Sequence, residues 1–296
     1  MKVGIIHNPV SGKQSQQILD YTRDRLQECG CEVTLYATEY AGHATQLARE
    51  VADHVDMVVV AGGDGTIHEA VNGLVFRQVP MGIIPVGTAN ILGYEIGIGT
   101  NPEKAVENLL HGKTCAVNVG QTDERYFLLM VGVGFDAEVV QGLNPRLKKR
   151  IGKHAYVWSG INVLAAGLRA NLNVETGGES WIAQSVVIHN VRYYGGNFKV
   201  APDAGLQESE FVVSLFPPAS RWKLMRCIRK FMAGRHDLVR GMHYFKTSQI
   251  RVGVQPDESK RPVQMDGDIT GSTPISVTKA EAALPLVMPA EKIFHE

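Results

Sequence analysis

A chain of 296 residues exceeds what one hydrophobic core usually serves, which predicts two domains. With 44% hydrophobic and 20% charged residues and a formal net charge of zero, the composition excludes a disordered or fibrous chain and argues against a dedicated nucleic-acid binder. The opening MKVGIIHNPVSGK turns polar too soon for a secretion signal, and no run approaches the roughly 18 apolar residues of a spanning helix. A cytoplasmic protein is expected, with any membrane contact peripheral. The four cysteines form no C-x-x-C pair and read as reduced structural thiols.

In chain order, Lys2 to Ile6 is a strand, followed by the turn Asn8-Pro9-Val10-Ser11-Gly12. Ile18, Leu19, Thr22 and Leu26 then recur at helical spacing up to Gly30. Glu32 to Tyr36 is a strand, Ala44 to Asp53 a helix, and Met57 to Ala61 an unbroken apolar run suited to a strand buried on both faces. Ile67 to Val75 follows as a helix and Met81 to Pro85 as a strand. This alternation predicts a parallel α/β domain over residues 1–119. Beyond it the texture changes to short β-rich runs at Phe127 to Val131, Ser185 to His189, Phe211 to Phe216, Gln249 to Val254 and Ile275 to Val277. An all-β domain, a sandwich, is predicted for residues 120–296, interrupted by helices at Ala155 to Leu172 and Trp222 to Ala233. The closing run Ala283 to Pro289 suits a return to either domain.

The most informative stretch is Met57 to Leu74, a buried strand delivered into Gly62-Gly63-Asp64-Gly65-Thr66 and then a helix. Glycines let backbone approach an anion, and the amides at a helix start face it, so the loop suits phosphates. Asp64 would repel a polyphosphate unless a divalent cation lies between, which points to Mg²⁺ or to a proton-transfer role. A dinucleotide fingerprint beginning at Gly63 needs a glycine where His68 stands, and a Walker loop ending at Gly112-Lys113-Thr114 needs one at Glu107; both are rejected. Gly87-Thr88-Ala89-Asn90, after strand Met81 to Val86, forms a second polar turn on the same side of the sheet, where open parallel sheets bind ligands. Asn8 to Gly12 would be a third wall.

Taken together and in order, Asn8-Pro-x-Ser-Gly12, Gly62-Gly-Asp-Gly-Thr66 with Glu69 and Asn72, Pro85-x-Gly-Thr-Ala-Asn90, Gly134-Phe-Asp-Ala137, Tyr194-Gly-Gly196, Ala201-Pro202 and Asp266-Gly-Asp268 before Pro274 resemble the diacylglycerol kinase catalytic family over nearly the whole chain. The resemblance implies an α/β nucleotide domain of the NAD kinase type, a β-sandwich lipid domain, and a reaction in the cleft between them that moves the γ-phosphate of ATP to a lipid hydroxyl. By position, it implies ATP contacts from Asn8, Pro9, Val10, Ser11, Gly12, Thr38, Gly63, Asp64, Gly65, Thr66, Ile67, His68, Glu69, Thr88 and Asn90. Asp266 matches the general base of bacterial diacylglycerol kinases, whereas sphingosine kinases give that role to the aspartate of the glycine loop, here Asp64; both stay open. Asp136 resembles the acid that holds the lipid head in sphingosine kinases, with a surface strand acid as the alternative. Asp64, Glu208 and Asp268 are the acids left to hold Mg²⁺.

The chain departs from the family at Ile91 and at Gln207-Glu208-Ser209, where aspartates are usual, and Asp268 replaces a glutamate. These departures keep a catalytically weakened lipid-binding protein in view. An NAD kinase, which shares Gly-Gly-Asp-Gly and the two-domain plan, is the rival enzyme, and Asp266-Gly-Asp268 favours the lipid branch. Arg146, Lys148, Lys149, Arg150 and Lys153, with Arg221, Lys223, Arg226, Arg229 and Lys230, suit an anionic membrane surface. The lipid's identity and the oligomeric state, a homodimer included, are not legible.

Overall fold

The computed structural model describes residues 1–11, 15–123, 125–143, 158–163, 171–232, 242–255 and 258–290. The chain forms two compact units, one of Met1–Val119 with Glu281–Glu296 and one of Gly120–Ala280.

In the first unit the order is β1 (Lys2–His7), α1 (Ser15–Glu28), β2 (Glu32–Ala37), α2 (His43–Val51), β3 (Met57–Gly62), α3 (Asp64–Leu74), β4 (Met81–Pro85), α4 (Ile91–Ile96), α5 (Pro102–His111) and β5 (Lys113–Gln121). The strands run parallel in the order β2-β1-β3-β4. Every residue of β3 and β4 is buried, as continuous apolar strands covered on both faces should be. Helix α1 turns Leu19, Thr22 and Leu26 inward. Helix α3 starts three residues before the apolar periodicity suggests, because Gly63 takes an extended conformation as its N-cap and the glycine motif itself becomes the first turn. Helices α4 and α5 complete a stretch in which the sequence pattern is weak. Asn101 caps α5 by accepting the Lys104 N–H at 3.0 Å, with Pro102 opening the helix. Gly112-Lys113-Thr114 is only the junction of α5 with β5, as its failed spacing implies.

The second unit contains β6 (Tyr126–Phe127), β7 (Met130–Gly134), α6 (Phe135–Gln141), β8 (Leu172–Thr176), β9 (Glu179–Ala183), β10 (Ser185–His189), β11 (Tyr193–Tyr194), β12 (Phe198–Lys199), β13 (Phe211–Phe216), α7 (Arg221–Met232), β14 (His243–Thr247), β15 (Gln249–Val254), β16 (Pro262–Met265), β17 (Asp268–Ser272) and the first part of β18 (Ile275–Met288). One antiparallel sheet is ordered β14-β13-β10-β7-β16-β17. In the other, Ile275 to Thr278 of β18 pair with β15, which continues to β8 and β9. Inward residues of both sheets, among them Val131, Val133, Ile188 and Val213 facing Val174, Ile250, Val252 and Val277, form one buried core, so this unit is a β-sandwich.

Three readings change. The strand expected over Phe127 to Val131 breaks at Leu128 and Leu129, whose amides bond to a side chain instead of a ladder. Leu172 opens β8 rather than closing a helix; of that expected helix, residues 158–163 are helical and the stretches 155–157 and 164–170 lie outside the described residues. The strand expected at Ile275 to Val277 runs on to Met288, and its last part joins the first unit, where Leu286 pairs in parallel with Met81 and Ala282 N–H donates to Asn118 Oδ1 at 2.7 Å.

Helices α2 and α3 approach through Gly73, where a Cβ would lie 2.5 Å from the Thr45 carbonyl oxygen and 2.7 Å from Ala48 Cβ. Gly73→Ala should therefore overpack this contact and destabilise the protein by about 1–3 kcal/mol, read as a lowered midpoint in thermal unfolding. An unchanged midpoint would mean the helices separate at no cost.

Candidate active site

In the first unit the candidate residues gather at the carboxyl ends of β1, β3 and β4. Asn8 shapes the first loop: its Oδ1 accepts the Val10 N–H at 3.0 Å, its carbonyl accepts the Ser11 N–H at 3.1 Å, and its Nδ2 donates to Thr66 Oγ1 at 3.4 Å. That last bond ties the first loop to the glycine loop. Pro9 and Val10 are exposed at the tip; Gly12 lies outside the described residues.

The glycine loop and the second loop meet backbone to backbone. A Cβ on Gly87 would stand 2.4 Å from Gly63 Cα, and one on Gly63 would stand 3.2 Å from Gly87 Cα. No other residue type fits either position without moving a main chain. The second loop is closed by Asn90, left-handed at φ 50, which accepts the Gly87 N–H at 2.8 Å and donates back to the Gly87 carbonyl at 2.9 Å. Because Asn90 spends its side chain this way, it does not cap α4. Asp64 does so instead, its Oδ1 accepting the Ile91 N–H at 2.8 Å.

Helix α3 delivers the amides of Asp64, Gly65 and Thr66 at its first turn, with Ile67 N–H the first to reach back, to the Gly63 carbonyl at 3.1 Å. A first turn of this kind attracts anions. Glu69 and His68 have structural occupations. Glu69 Oε2 accepts the Ala44 N–H at 3.2 Å, capping α2 where Gly42 has no side chain to do so, and His68 is buried. Thr38 closes its strand through an N–H bond to the His7 carbonyl at 2.9 Å, and Thr88 is exposed on the second loop. Burial lowers the pKa of His7, keeping the imidazole neutral beside this loop.

In the second unit, Asp266 and Gly267 are the two central residues of the β16–β17 hairpin, both with positive φ, at 50 and 93. The Asp-Gly pair thus makes a hairpin turn, but not a surface one: Asp266 is 5% exposed. Its Oδ2 accepts the Leu128 N–H at 2.8 Å, and its Oδ1 accepts those of Leu129 at 2.8 Å and Met130 at 2.9 Å. Asp136 corrects the alternative of a surface strand acid. It sits in the first turn of α6, launched by Gly134 at φ 85, and is 4% exposed. Tyr194 O–H donates to one carboxylate oxygen and Gln264 Nε2 to the other, the latter at 2.7 Å. Desolvation raises the Asp136 pKa, partly offset by these two donors.

Glu208 lies on the surface with Lys246 Nζ at 3.4 Å, and Asp268 is exposed at the start of β17. Among the described residues no three His, Cys, Asp or Glu side chains converge as a metal cage. Mg²⁺ does not demand one, since it keeps several waters and usually takes one or two carboxylates together with substrate phosphates. The donor chemistry of Asp64 beside phosphate-binding amides suits that mode. Gln264 and the Leu128 to Met130 amides escape a sequence reading. The available signal was Gln264 itself, a polar residue between Val263 and Met265 in a short strand.

A parallel α/β unit whose glycine loop opens a helix, in one chain with a sandwich that carries a buried acid turn, suits a protein that handles phosphate groups. Residues 2–122 match the family model described as the diacylglycerol kinase catalytic domain, and residues 129–288 match the YegS C-terminal NAD kinase beta sandwich-like domain. The chain is 29% identical over 295 residues to a diacylglycerol kinase of Bacillus subtilis, covering 97% of this chain and 96% of that one. It is 27% identical over 293 residues to one of Staphylococcus carnosus, covering 97% and 95%. A crystal structure of a diacylglycerol kinase from Bacillus anthracis shares the fold, with a TM-score of 0.79 at 22% identity over 98% of each chain. The chain belongs to the diacylglycerol kinase catalytic family and is a lipid kinase, a phosphotransferase with a hydroxyl group as acceptor.

The raised pKa of Asp136 has a stability consequence. A carboxyl whose folded pKa exceeds its unfolded value favours the fold below the unfolded pKa, and that contribution is lost as pH rises through the folded one. Asp136→Asn, whose oxygen accepts from Gln264 Nε2 and whose NH₂ donates to the Tyr194 hydroxyl oxygen without a charge, should therefore unfold at a higher temperature than the parent at pH 8, the gap narrowing as pH falls toward the carboxylate range. A gap that is constant with pH would show that Asp136 ionisation carries no cost.

Proposed function

We propose that this chain transfers the γ-phosphate of ATP to the hydroxyl of a membrane lipid, with diacylglycerol the first candidate because the similar enzymes bear that name. The observation that carries the ATP reading is the backbone contact of Gly63 with Gly87 at the head of α3, which brings two loops together with no side chain between them. Amides of the α3 first turn bind phosphate oxygens, and Asn8, Ser11, Thr38, Thr66, Thr88 and Asn90 frame the nucleotide. Asp64 would hold Mg²⁺, with Glu208 and Asp268 the remaining acids, and the metal when bound would supply neutralisation of phosphate charge. Catalysis then rests on positioning and electrostatics.

The acceptor hydroxyl must lose a proton, and Asp266 is the base we favour. Amides occupy three of the about four acceptor directions of its carboxylate, which orients the group firmly. Asp64 is the rival base, and its bond to the Ile91 amide is compatible with either a metal or a proton role. We also propose peripheral attachment to an anionic membrane from the cytoplasmic side. Support comes from α7, where Lys223, Arg226 and Arg229 are exposed beside Trp222, itself 69% exposed. Among the described residues no helix is long and apolar enough to cross a membrane. The second basic cluster, Arg146 to Lys153, lies outside the described residues.

Radiolabelled transfer from ATP to a lipid panel tests the reaction. Asp266→Asn, which keeps an oxygen for two of the three amides, should lower kcat about 100-fold or more while the KM for ATP moves less than about threefold. Asp64→Asn should abolish turnover with the fold intact. If Asp266→Asn stays within about threefold of the parent while Asp64→Asn is dead, Asp64 is the base.

Membrane attachment is checked by vesicle flotation. Binding should require anionic lipid and weaken as salt rises from 50 to 500 mM, since the attraction is screened within about 8 Å at physiological ionic strength. Equal binding to neutral vesicles would overturn the electrostatic attachment.

A further inference from the structure

The second unit contains a buried polar chain that neither the phosphate loops nor the hairpin acid accounts for. Gln264, on β16, is 2% exposed and uses both ends of its amide: Nε2 donates to Asp136 Oδ2 at 2.7 Å, and Oε1 accepts the Gly267 N–H at 2.9 Å. The amide orientation follows from its partners, because a carboxylate takes only the NH₂ end and a backbone N–H only the oxygen. Tyr194 O–H donates to the other Asp136 oxygen. The neighbouring strand is cut back to admit this arrangement. A Cβ on Gly132 of β7 would fall 1.7 Å from Asp136 Oδ2 and 2.8 Å from Gln264 Nε2. Gly132 is thus the space in which the carboxylate and the amide meet.

The chain ends on the turn that carries Asp266. Gly267 follows Asp266 directly, and both residues hold positive φ. From the other side the turn is held by the Asp266 carboxylate on the Leu128 to Met130 amides and by the Asp266 N–H on the Met130 carbonyl at 3.0 Å. Without Gln264 the Gly267 end of the turn loses its side-chain anchor, and the bonds that remain all lie on the Asp266 side. We infer that Tyr194, Asp136 and Gln264 form a positioning relay that sets the Asp266-Gly267 turn for phosphoryl transfer, and that Asp136 serves the reaction through this turn rather than by gripping the lipid head. The inference rests on the reading of Asp266 as the base.

The test is a double-mutant cycle in the full-length chain with diacylglycerol vesicles and ATP, using Gln264→Leu, Asp266→Asn and the pair. Gln264→Leu should lower kcat at least tenfold, leave the KM values for lipid and ATP within twofold, and speed amide hydrogen exchange in the peptide spanning residues 264–272. In the Asp266→Asn background the same substitution should change the residual kcat less than twofold, because the group it positions is already gone. Tyr194→Phe, which removes one hydroxyl and tests the relay should Gln264→Leu fail to fold, should lower kcat with unaltered lipid KM and a smaller gain in exchange over the same peptide. Full additivity of the two substitutions overturns the relay, and so does a rise in lipid KM at constant kcat for either relay variant. If Asp266→Asn alone keeps the parent turnover, the base assignment falls instead; unaltered exchange over residues 264–272 in Gln264→Leu overturns the relay whichever acid is the base.

Discussion

The second unit is organised around one carboxylate that gathers three consecutive backbone amides. Leu128, Leu129 and Met130 lie where β6 ends and β7 begins, and chain entering a sheet must place its N–H groups somewhere. No ladder partner takes them; Asp266 does. An amide left unsatisfied in the interior costs about 1–3 kcal/mol, so one side chain secures a large part of this junction. The arrangement also explains why an aspartate tolerates a left-handed backbone here: the hairpin requires positive φ at its first central residue, and Asp is among the few types that supply it at low cost. Fold and proposed chemistry thus draw on the same atoms. Loss of this carboxylate removes a structural anchor as well as the proposed proton acceptor, which is why an isosteric amide separates the two roles better than truncation does.

The first unit solves a different problem, that of bringing two stretches of main chain together at the head of a helix. Its solution is steric absence. Gly63 and Gly87 touch through their α-carbons, and nearby polar side chains hold the loops that carry them. Asn90 locks the second loop, Asn8 reaches Thr66, and Asp64 takes over the capping of α4. Even Glu69, one turn into α3, caps α2. A phosphate-binding surface made of amides has no side chain to freeze in place, so its geometry is only as good as the loops behind it.

These features were unequally legible in the sequence. The parallel strands announced themselves because β3 and β4 are continuous apolar runs, and the glycine loop because three glycines with an aspartate are hard to explain otherwise. Boundaries failed where side chains replace ladder bonds: the break at Leu128 depends on a residue far away in sequence, Asp266, and no local pattern records it. The start of α3 at Asp64 escapes an apolar pattern because glycines have no apolar face to count. Asp136 is the least legible of all, since its partners Tyr194 and Gln264 are 58 and 128 residues away in sequence. Periodicity reports what faces a core; it carries no information on which polar group meets which.

The departure at Ile91 gains a physical meaning from the first unit. An aspartate there would set a second negative charge beside Asp64 at the start of α4. In this chain the side chain is apolar and buried, and the backbone N–H of the same residue bonds Asp64 Oδ1. The apolar side chain spares Asp64 a repulsive neighbour, while its Oδ1 keeps the main-chain donor that any residue at this position would supply. The loop keeps one well-held acid in place of two. Since Mg²⁺ commonly needs only one or two carboxylates beside water and substrate phosphates, one acid is consistent with the proposed reaction, and Ile91 is better understood as a change in how a metal would be held than as evidence of lost activity.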